Sequence, residues 1–160
     1  FKNSKVLFFK HHSIAKQTGG GVYEYVPNVI EKLPIPNATK EQQANLALKA
    51  EKMIDLNKKL YEETQKALEL IKIEYKPKKI SQNLEKFYSL GLNPFIDELQ
   101  KLGVKLSLAQ KEDLINWYKT KSELLNSIVE TINKTDSEID QEVYKLYGLD
   151  SEDIKVIEEG

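Results

Sequence analysis

The chain has 160 residues, which allows one domain or one compact unit with an extension. Charged residues make up 31% of it and the formal net charge is −1. There is no cysteine, which excludes disulfide bridges and cysteine-ligated zinc and fits a reducing cytoplasm. No apolar run approaches the roughly 20 residues of a membrane helix, so we expect no membrane partner. The chain starts with Phe1 rather than methionine, and we interpret it as part of a longer protein.

The charges are unevenly distributed along the sequence. Residues 1–23 contain four lysines and no acid, whereas residues 136–160 contain nine acids and two lysines. The first segment therefore suits a polyanion and the second repels one. Every basic residue outside the two histidines is a lysine, which favours phosphate contacts over the bidentate contact that arginine makes to guanine.

A short helix over residues 4–16 is the first predicted element. Its cap and buried positions are predicted to be Ser4, Val6, Phe9 and Ile14. The glycine run at residues 19–21 ends it, and the alternation of side chains in residues 22–26 predicts a strand. Three prolines keep the following connection extended. Residues 1–37 are therefore predicted to form a short α/β stub.

Two long helices follow, and a capping-box pattern introduces each of them. The first is predicted to run from Thr39 to about Tyr75, and the second from Leu108 towards Tyr147, with an interruption at residues 133–136 left open. Both carry apolar residues at alternating spacings of four and three, the pattern of a coiled-coil seam. The first seam consists of Leu46, Ala50, Met53, Asn57, Leu60, Thr64, Ala67 and Ile71. The second consists of Leu114, Tyr118, Lys121, Leu125, Ile128, Ile132, Thr135 and Ile139.

Together these patterns predict a mainly α chain. A long antiparallel helical hairpin, resembling a coiled coil, occupies residues 38–149. Residues 76–106 form its tip and contain two small helices, over residues 80–88 and over residues 94–102 after a cap at Asn93. Residues 150–160 form a last short helix. The polar seam residues either fix the register of the hairpin or face solvent; these residues are Asn57, Thr64, Lys121 and Thr135.

The glycine run and its neighbours are the first candidate for a binding site. A glycine-rich turn lets a backbone approach phosphate closely, although a merely flexible turn has the same composition. Amide, hydroxyl, ammonium and aromatic groups surround it, and these are the groups that bind phosphates and base edges. The candidate DNA-binding residues are Lys10, His12, Lys16, Gln17, Thr18, Gly19, Gly20, Tyr23 and Tyr25. The second choice is the lysine cluster at the tip, Lys76, Lys78 and Lys79.

No catalytic residue and no bound metal are predicted. His11 and His12 are adjacent on a helix and point about 100° apart, which does not suit a shared metal. Asp55, Glu74 and Lys76 match the acid and Glu-x-Lys pattern of many restriction nucleases. Their two acids, however, lie on one predicted helix about 30 Å apart, so we interpret them as solvated helix charges.

Two stretches of the sequence carry a resemblance to a known family. The first is Gly19–Tyr25, followed by Leu33–Pro36 and by Glu41–Gln43 at the start of a long helix. The second is Thr135–Glu158, with its Leu-Tyr-Gly-Leu run. In this order and spacing they resemble the end of the target recognition domain and the helical spacer of type IIG restriction–modification enzymes, which are adenine-N6 DNA methyltransferases. They resemble type I specificity subunits more loosely.

The resemblance implies a non-catalytic DNA-recognition or positioning part of a larger prokaryotic enzyme. It implies double-stranded DNA as the partner, and methyltransferase and nuclease domains upstream in the same polypeptide. The methyltransferase signature, Asn-Pro-Pro-aromatic, is absent here, since Asn93-Pro94-Phe95 has one proline. S-adenosylmethionine and Mg²⁺ are therefore expected only in the parent enzyme.

Three other interpretations stay open. The chain is a coiled-coil module that binds only protein, a fragment of a type I specificity subunit, or an autonomous nuclease that uses Asp55, Glu74 and Lys76. Salt-dependent binding to duplex DNA separates the restriction–modification part from the protein-binding module. A cleavage assay with magnesium tests the nuclease.

Overall fold

The structure is a computed structural model that describes residues 5–18, 23–24, 26–27, 31 and 35–159. This described part of the chain is 78% helical and contains no strand, which confirms the prediction of a mainly α fold. No helix in it combines the length and the apolar character needed to cross a membrane. The antiparallel hairpin over residues 38–149 stays a prediction.

Two of the helices are very long and the others are short. They are α1 (Lys5–Ile14), α2 (Lys40–Tyr75), α3 (Gln82–Glu85), α4 (Leu92–Lys101), α5 (Leu108–Tyr147) and α6 (Ser151–Glu159), with a 3₁₀ turn at Phe87–Ser89 between α3 and α4. The α5 helix is continuous through residues 133–136, so the sequence pattern there does not interrupt it.

Both predicted capping boxes are present at the starts of the long helices. At α2 the Thr39 N–H donates to Gln42 Oε1 (2.8 Å), and the Gln42 N–H donates to Thr39 Oγ1 (3.2 Å). At α5 the Ser107 N–H donates to Gln110 Oε1 (3.0 Å), and the Gln110 N–H donates to Ser107 Oγ (3.2 Å). Each box satisfies two backbone donors that a helix start otherwise leaves unpaired.

Glycines in the left-handed conformation end α4 and α5. Gly103 has φ 90° and Gly148 has φ 64°, a region that L residues with a Cβ rarely adopt. After α4 the Gly103 N–H donates to the Gln100 carbonyl (2.9 Å), and the Val104 N–H donates to the Leu99 carbonyl (3.0 Å). This is the Schellman arrangement, and the chain repeats it after α5.

The small helices at residues 76–106 differ from the prediction. The α4 helix begins after Gly91 rather than at Asn93, because the Gly91 carbonyl already accepts the helical hydrogen bond from Phe95 (3.0 Å). Pro94 then lies inside the first turn, where its missing N–H costs nothing. The helix predicted over residues 80–88 is divided into α3 and the 3₁₀ turn, which Lys86 separates.

The N-terminal stub also differs from the prediction. Val6 is buried as expected, but Phe9 and Ile14 are exposed, and Leu7 and His11 are buried instead. The predicted strand over residues 22–26 reduces, in the described residues, to one isolated bridge in which Tyr23 takes part. The predicted cap, Ser4, lies outside the described residues.

The chain divides into two compact units. The first unit comprises residues 1–51 and 134–160, and the second comprises residues 52–133. The second unit has an aromatic and aliphatic core to which α2, α3, α4, α5 and the 3₁₀ turn contribute. Its buried members are Ala67, Leu68, Ile71, Leu84, Phe87, Phe95, Leu99, Leu102, Val104, Leu114, Tyr118 and Leu125. The Tyr118 hydroxyl donates to the Leu90 carbonyl, which pairs the polar atom of this core residue.

The first unit has a much smaller core. Val6, Val143 and Tyr144 are its buried members, and partly buried residues from α2, α5 and α6 pack against them. The Asp150 carboxylate starts α6, because Oδ1 accepts from the N–H groups of Glu152 and Asp153 at 2.9 Å each. Such a cap satisfies the free donors of the first turn.

Most positions of the predicted seams are buried or partly buried. In the first seam Ala50 is exposed, which the heptad pattern did not predict, and Asn57 is exposed, which is one of the two alternatives left open for it. The exposed Asn57 donates to the Met53 carbonyl of its own helix (2.8 Å), whereas Thr64 and Thr135 are buried. Lys121 is half-buried and pairs with Glu63 (3.3 Å) within the second unit. Of the four polar seam residues, therefore, only Asn57 faces solvent.

Candidate functional site

In the first unit, α1 leads into a loop that backbone contacts close. Gln17 and Tyr23 form an antiparallel bridge, and the Glu24 N–H donates to the Lys16 carbonyl (3.1 Å). These contacts bring together the residues on either side of the glycine run. Three predicted site residues, Gly19, Gly20 and Tyr25, lie outside the described residues.

An aromatic stack fixes this loop to α1. The His12 ring lies 3.9 Å from the Tyr23 ring at an interplanar angle of 18°, and 3.9 Å from the Phe8 ring at 57°. Contacts between aromatic rings stabilise a pair by about 0.5–1.5 kcal/mol beyond the burial of its area. One face of Tyr23 is therefore already covered, and a nucleic-acid base has only the other face on which to stack.

The predicted site residues divide by exposure. Lys10, Lys16 and Gln17 are exposed, whereas His12, Thr18 and Tyr23 are partly buried. The exposed ammonium groups are suited to phosphate and the amide of Gln17 to a base edge. The structure thus joins Lys16, Gln17 and Tyr23 into one local surface, and leaves Lys10 six residues away on α1.

Lys10 lies in acidic and apolar surroundings. It lines a groove of about 230 Å³ together with Asp153 of α6 and with Phe9 of α1. A carboxylate in the same groove offsets the attraction of Lys10 for phosphate. Lys10 is therefore a weaker candidate for a DNA contact than Lys16.

A charged network joins α1 to the acidic C-terminal helices of the first unit. Lys5 Nζ lies 3.4 Å from Asp140 Oδ2 and 3.7 Å from Glu158 Oε1, and the Tyr144 hydroxyl donates to Glu158 Oε1 (3.3 Å). Partial burial opposes the charged form of Lys5, but Asp140 and Glu158 raise its pKa. Burial, and then the charges of Asp140 and Glu158, raise the pKa of Tyr144 to about 12.

This network corrects the argument from charge distribution. The basic N-terminal segment and the acidic C-terminal segment are far apart in sequence, but both belong to the first unit and form ion pairs there. Their charges partly neutralise each other. The separation of charge along the sequence is therefore not a separation in space.

The tip lysines, the second choice for a DNA contact, are exposed within the second unit. One backbone hydrogen bond holds this segment, in which the Lys78 N–H donates to the Leu102 carbonyl (3.0 Å). Lys76 before it has φ 47°, in the left-handed region. The Lys78 stem also lies so close to Gly103 that a Cβ there would stand 3.0 Å from Lys78 Cε. Lys76 and Lys79 extend the positive charge of this surface.

The nuclease interpretation finds no support in the positions of its residues. Asp55 and Glu74 both lie on α2, 19 residues and therefore about 28 Å apart along a continuous helix. Among the described residues, no group of three or more His, Cys, Asp and Glu side chains is placed to hold a metal ion. Glu74 instead lines a cavity with Asp113 and Trp117 of α5.

A family model described as a domain of unknown function, DUF8810, matches residues 39–143, about two thirds of the chain. The chain belongs to the DUF8810 family. No curated protein and no solved structure matches it. The matched range begins at the capping box of α2 and includes the whole second unit.

The DUF8810 range includes one of the two candidate binding regions and leaves the other out. The candidate DNA-binding residues, at positions 10–25, precede it, whereas the cavity beside Trp117 lies within it. Sequence reasoning missed this cavity, because its residues are distant in sequence and look like ordinary helix residues. The one signal was Trp117 itself, the single tryptophan of the chain, next to Tyr118.

Proposed function

We propose that the chain is a non-catalytic DNA-recognition and positioning part of a restriction–modification enzyme of the type IIG kind, acting in a prokaryotic cytoplasm. In this proposal the parent polypeptide supplies an adenine-N6 methyltransferase domain and a nuclease domain. S-adenosylmethionine and Mg²⁺ bind to those domains. The order and spacing of the two resembling stretches, Gly19–Tyr25 and Thr135–Glu158, support it.

The closed loop in the first unit is the observation that carries the proposal. The bridge between Gln17 and Tyr23 holds together the two sides of the glycine run, and Lys16 and Gln17 beside it are exposed. The bridge fixes the backbone of Gln17 and Tyr23, so these two residues lose little further conformational entropy when a ligand binds. Lys16 supplies an exposed ammonium group and Gln17 an exposed amide group, a combination suited to a phosphate and an adjacent base edge.

Binding to duplex DNA as a function of salt tests the proposal. The logarithm of the binding constant should fall with the logarithm of salt concentration, with a slope of about −0.9 per neutralised phosphate. Lys16→Ala should weaken binding to all sequences and reduce the slope by about 1. Lys10→Ala should act in the same direction but less, because Asp153 lines the same groove.

A control variant distinguishes local contacts from net charge. Lys58→Ala and Lys59→Ala remove exposed lysines of α2 in the second unit and should leave the affinity and the slope unchanged. Gln17→Ala, in contrast, should relax the preference for one base pair at a cost of roughly 1–3 kcal/mol. Equal losses from the control and the Lys16 variant would show non-specific attraction, and no binding at low salt would contradict the proposal.

A protein-binding module is the second candidate, and two exposed apolar residues favour it. Ile54 and Tyr61 are 68% and 66% exposed, and they lie seven residues apart on α2, hence on one face of the helix. Exposed apolar residues in heptad register are suited to a partner helix. If this candidate is correct, Ile54→Asp and Tyr61→Asp should abolish an association seen by sedimentation, while DNA binding stays undetectable for every variant.

A further inference from the structure

A cavity of about 220 Å³ lies within the second unit, where the end of α2 meets the first turns of α5. Leu70, Glu74 and Tyr75 of α2, and Asp113 and Trp117 of α5, are among the residues that line it. Its volume is below the roughly 300–1,000 Å³ of pockets for drug-sized ligands, so it suits a small chemical group.

The walls of the cavity are aromatic and aliphatic. The Trp117 ring stacks on Phe87, with centroids 5.6 Å apart and an interplanar angle of 22°, and on Phe95 at 6.4 Å and 29°. Both phenylalanines are fully buried, which holds the indole in place. Leu70 is 50% exposed at the same cavity, so an apolar surface is left available to a ligand.

Two carboxylates from different helices line the same cavity. Glu74 and Asp113 are both exposed, and within the described residues neither carboxylate takes part in an ion pair or a hydrogen bond. Their negative charge affects the neighbouring Tyr75. Burial, and then the charges of Glu74 and Asp113, raise the pKa of its phenol. The cavity therefore combines two carboxylates with apolar and aromatic walls.

We propose that this cavity binds an organic ammonium group, with Trp117 and Leu70 around its alkyl substituents and Glu74 and Asp113 beside its charge. An ammonium ion is attracted by an aromatic ring by about 0.5–1 kcal/mol at exposed sites and by more when water is excluded. A bare metal ion does not fit as well, because two carboxylates among apolar walls do not provide the six to eight oxygen ligands of Ca²⁺. The site is independent of the DNA-binding surface proposed for the first unit.

The chain has one tryptophan, so its fluorescence and its indole N–H signal both come from Trp117 and report on ligand binding in this cavity. We would titrate the full chain with choline and follow both the tryptophan fluorescence and the single indole N–H signal in a ¹H–¹⁵N spectrum. The neutral isostere 3,3-dimethylbutan-1-ol has the same shape without the charge. The expected result is a saturable change with choline and at least about fivefold weaker binding of the alcohol.

Matched variants separate the site from the overall charge of the protein. Glu74→Gln with Asp113→Asn keeps the shape of the cavity and removes both charges. Glu123→Gln with Glu130→Gln removes the same number of charges from exposed positions of α5 outside the cavity. We expect the first double variant to weaken choline binding at least about fivefold and the second to leave it unchanged.

The source of the ammonium group is settled by a second ligand. N-acetyl-trimethyllysine amide imitates the side chain of a modified protein, whereas choline represents a free metabolite. Tighter binding of either one identifies the source and supports the proposal. The proposal is overturned if neither compound changes the fluorescence or the indole signal at millimolar concentrations, if the neutral alcohol binds as well as choline, or if both double variants lose binding equally.

Discussion

Different interactions stabilise the interior of each of the two units of this chain. In the second unit, twelve buried apolar and aromatic residues form one cluster, and three aromatic rings stack within it. In the first unit, three buried residues form the core, and ion pairs of Lys5 and Lys49 with carboxylates of α5 and α6 surround it. The free energy gained from apolar burial scales with the buried area, whereas the strength of an ion pair depends on protonation and on salt concentration. The second unit should therefore respond mainly to changes of volume, and the first mainly to changes of charge.

The largest effect is expected from truncating the aromatic core of the second unit. Phe87 is fully buried and contacts the rings of Phe95, Trp117 and Tyr118. Phe87→Ala removes these contacts and leaves a cavity, so it should lower the free energy of unfolding by about 3–5 kcal/mol. Chemical denaturation followed by Trp117 fluorescence measures this. Leu108→Ala, at a position that is 85% exposed, is the control and should cost less than about 0.5 kcal/mol. Equal costs for the two variants would mean that the aromatic cluster is not the core.

The corresponding test in the first unit removes a charge rather than volume. Asp140 is 4% exposed, and it accepts from the Lys5 backbone N–H (3.5 Å) as well as pairing with the Lys5 ammonium. Because the Lys5 side chain is half exposed, Asp140→Asn should cost only about 1–2 kcal/mol. The loss should be local and appear as faster hydrogen exchange across α1.

Glu158→Gln is the matched control for this variant. Its carboxylate also pairs with Lys5, but its side chain is 45% exposed, so water replaces the lost contact. We expect a smaller increase in exchange than for Asp140→Asn. If Asp140→Asn leaves the exchange of α1 unchanged while Val6→Ala accelerates it, apolar contacts hold α1 and the contrast between the units fails.

Alkaline pH should lower the folding stability of the first unit. The pKa of Tyr144 is raised from 10.0 to about 12, so between these values the tyrosine is ionised in the unfolded chain and still protonated in the folded one. The folded state then binds more protons, and stability falls as pH rises through this window. The raised pKa of Lys5 acts in the same direction, since its contribution is present below the unfolded pKa of 10.5 and is lost as pH rises above it.

Tyr144→Phe isolates this effect. It removes the ionisable group and its contact to Glu158 while keeping the ring, so the variant should be slightly less stable near neutral pH and lose less stability between pH 10 and pH 12. Urea denaturation followed by circular dichroism at pH 7 and at steps between pH 10 and pH 12, together with the tyrosinate absorbance, measures both. An unchanged alkaline profile in the variant would exclude Tyr144 as the cause.

Local patterns in the sequence predict much of this fold. The boxes at Thr39 and Ser107, the end of α4 at Gly103 and the extents of the two long helices all depend on neighbours within a few residues, and they are confirmed. The prediction that Asn93 caps α4 was wrong, because the helix begins two residues earlier and Gly91 is its N-cap.

Long-range packing is what the sequence did not predict. Phe9 and Ile14 have the apolar character of core residues but are exposed, because Val6, Leu7 and His11 are the buried residues of α1. The closure of the loop by Gln17 and Tyr23 was not foreseen either, nor was the cavity at Trp117. Each depends on residues that are brought together by the fold rather than by spacing along the chain.

The smallest predicted effect uses one motif that occurs once in each unit. Thr39 begins α2 in the first unit and Ser107 begins α5 in the second, with the same pair of reciprocal hydrogen bonds. Thr39→Ala and Ser107→Ala should each lower the stability of their own helix start by about 1 kcal/mol. Only Ser107→Ala should shift the unfolding transition reported by Trp117, because a helix end frays locally and Thr39 lies outside the unit that contains the tryptophan.

Thr39→Ser and Ser107→Thr keep the hydroxyl that accepts the hydrogen bond and should restore most of the loss. Thr39→Ala should instead accelerate hydrogen exchange in the first turn of α2, where the Gln42 N–H loses its acceptor. If Thr39→Ala shifts the Trp117 transition as much as Ser107→Ala does, the two units unfold in one cooperative step. Apolar packing in the second unit and ion pairs in the first would then be differences between local contacts. They would not mark two parts of the chain that are stable separately.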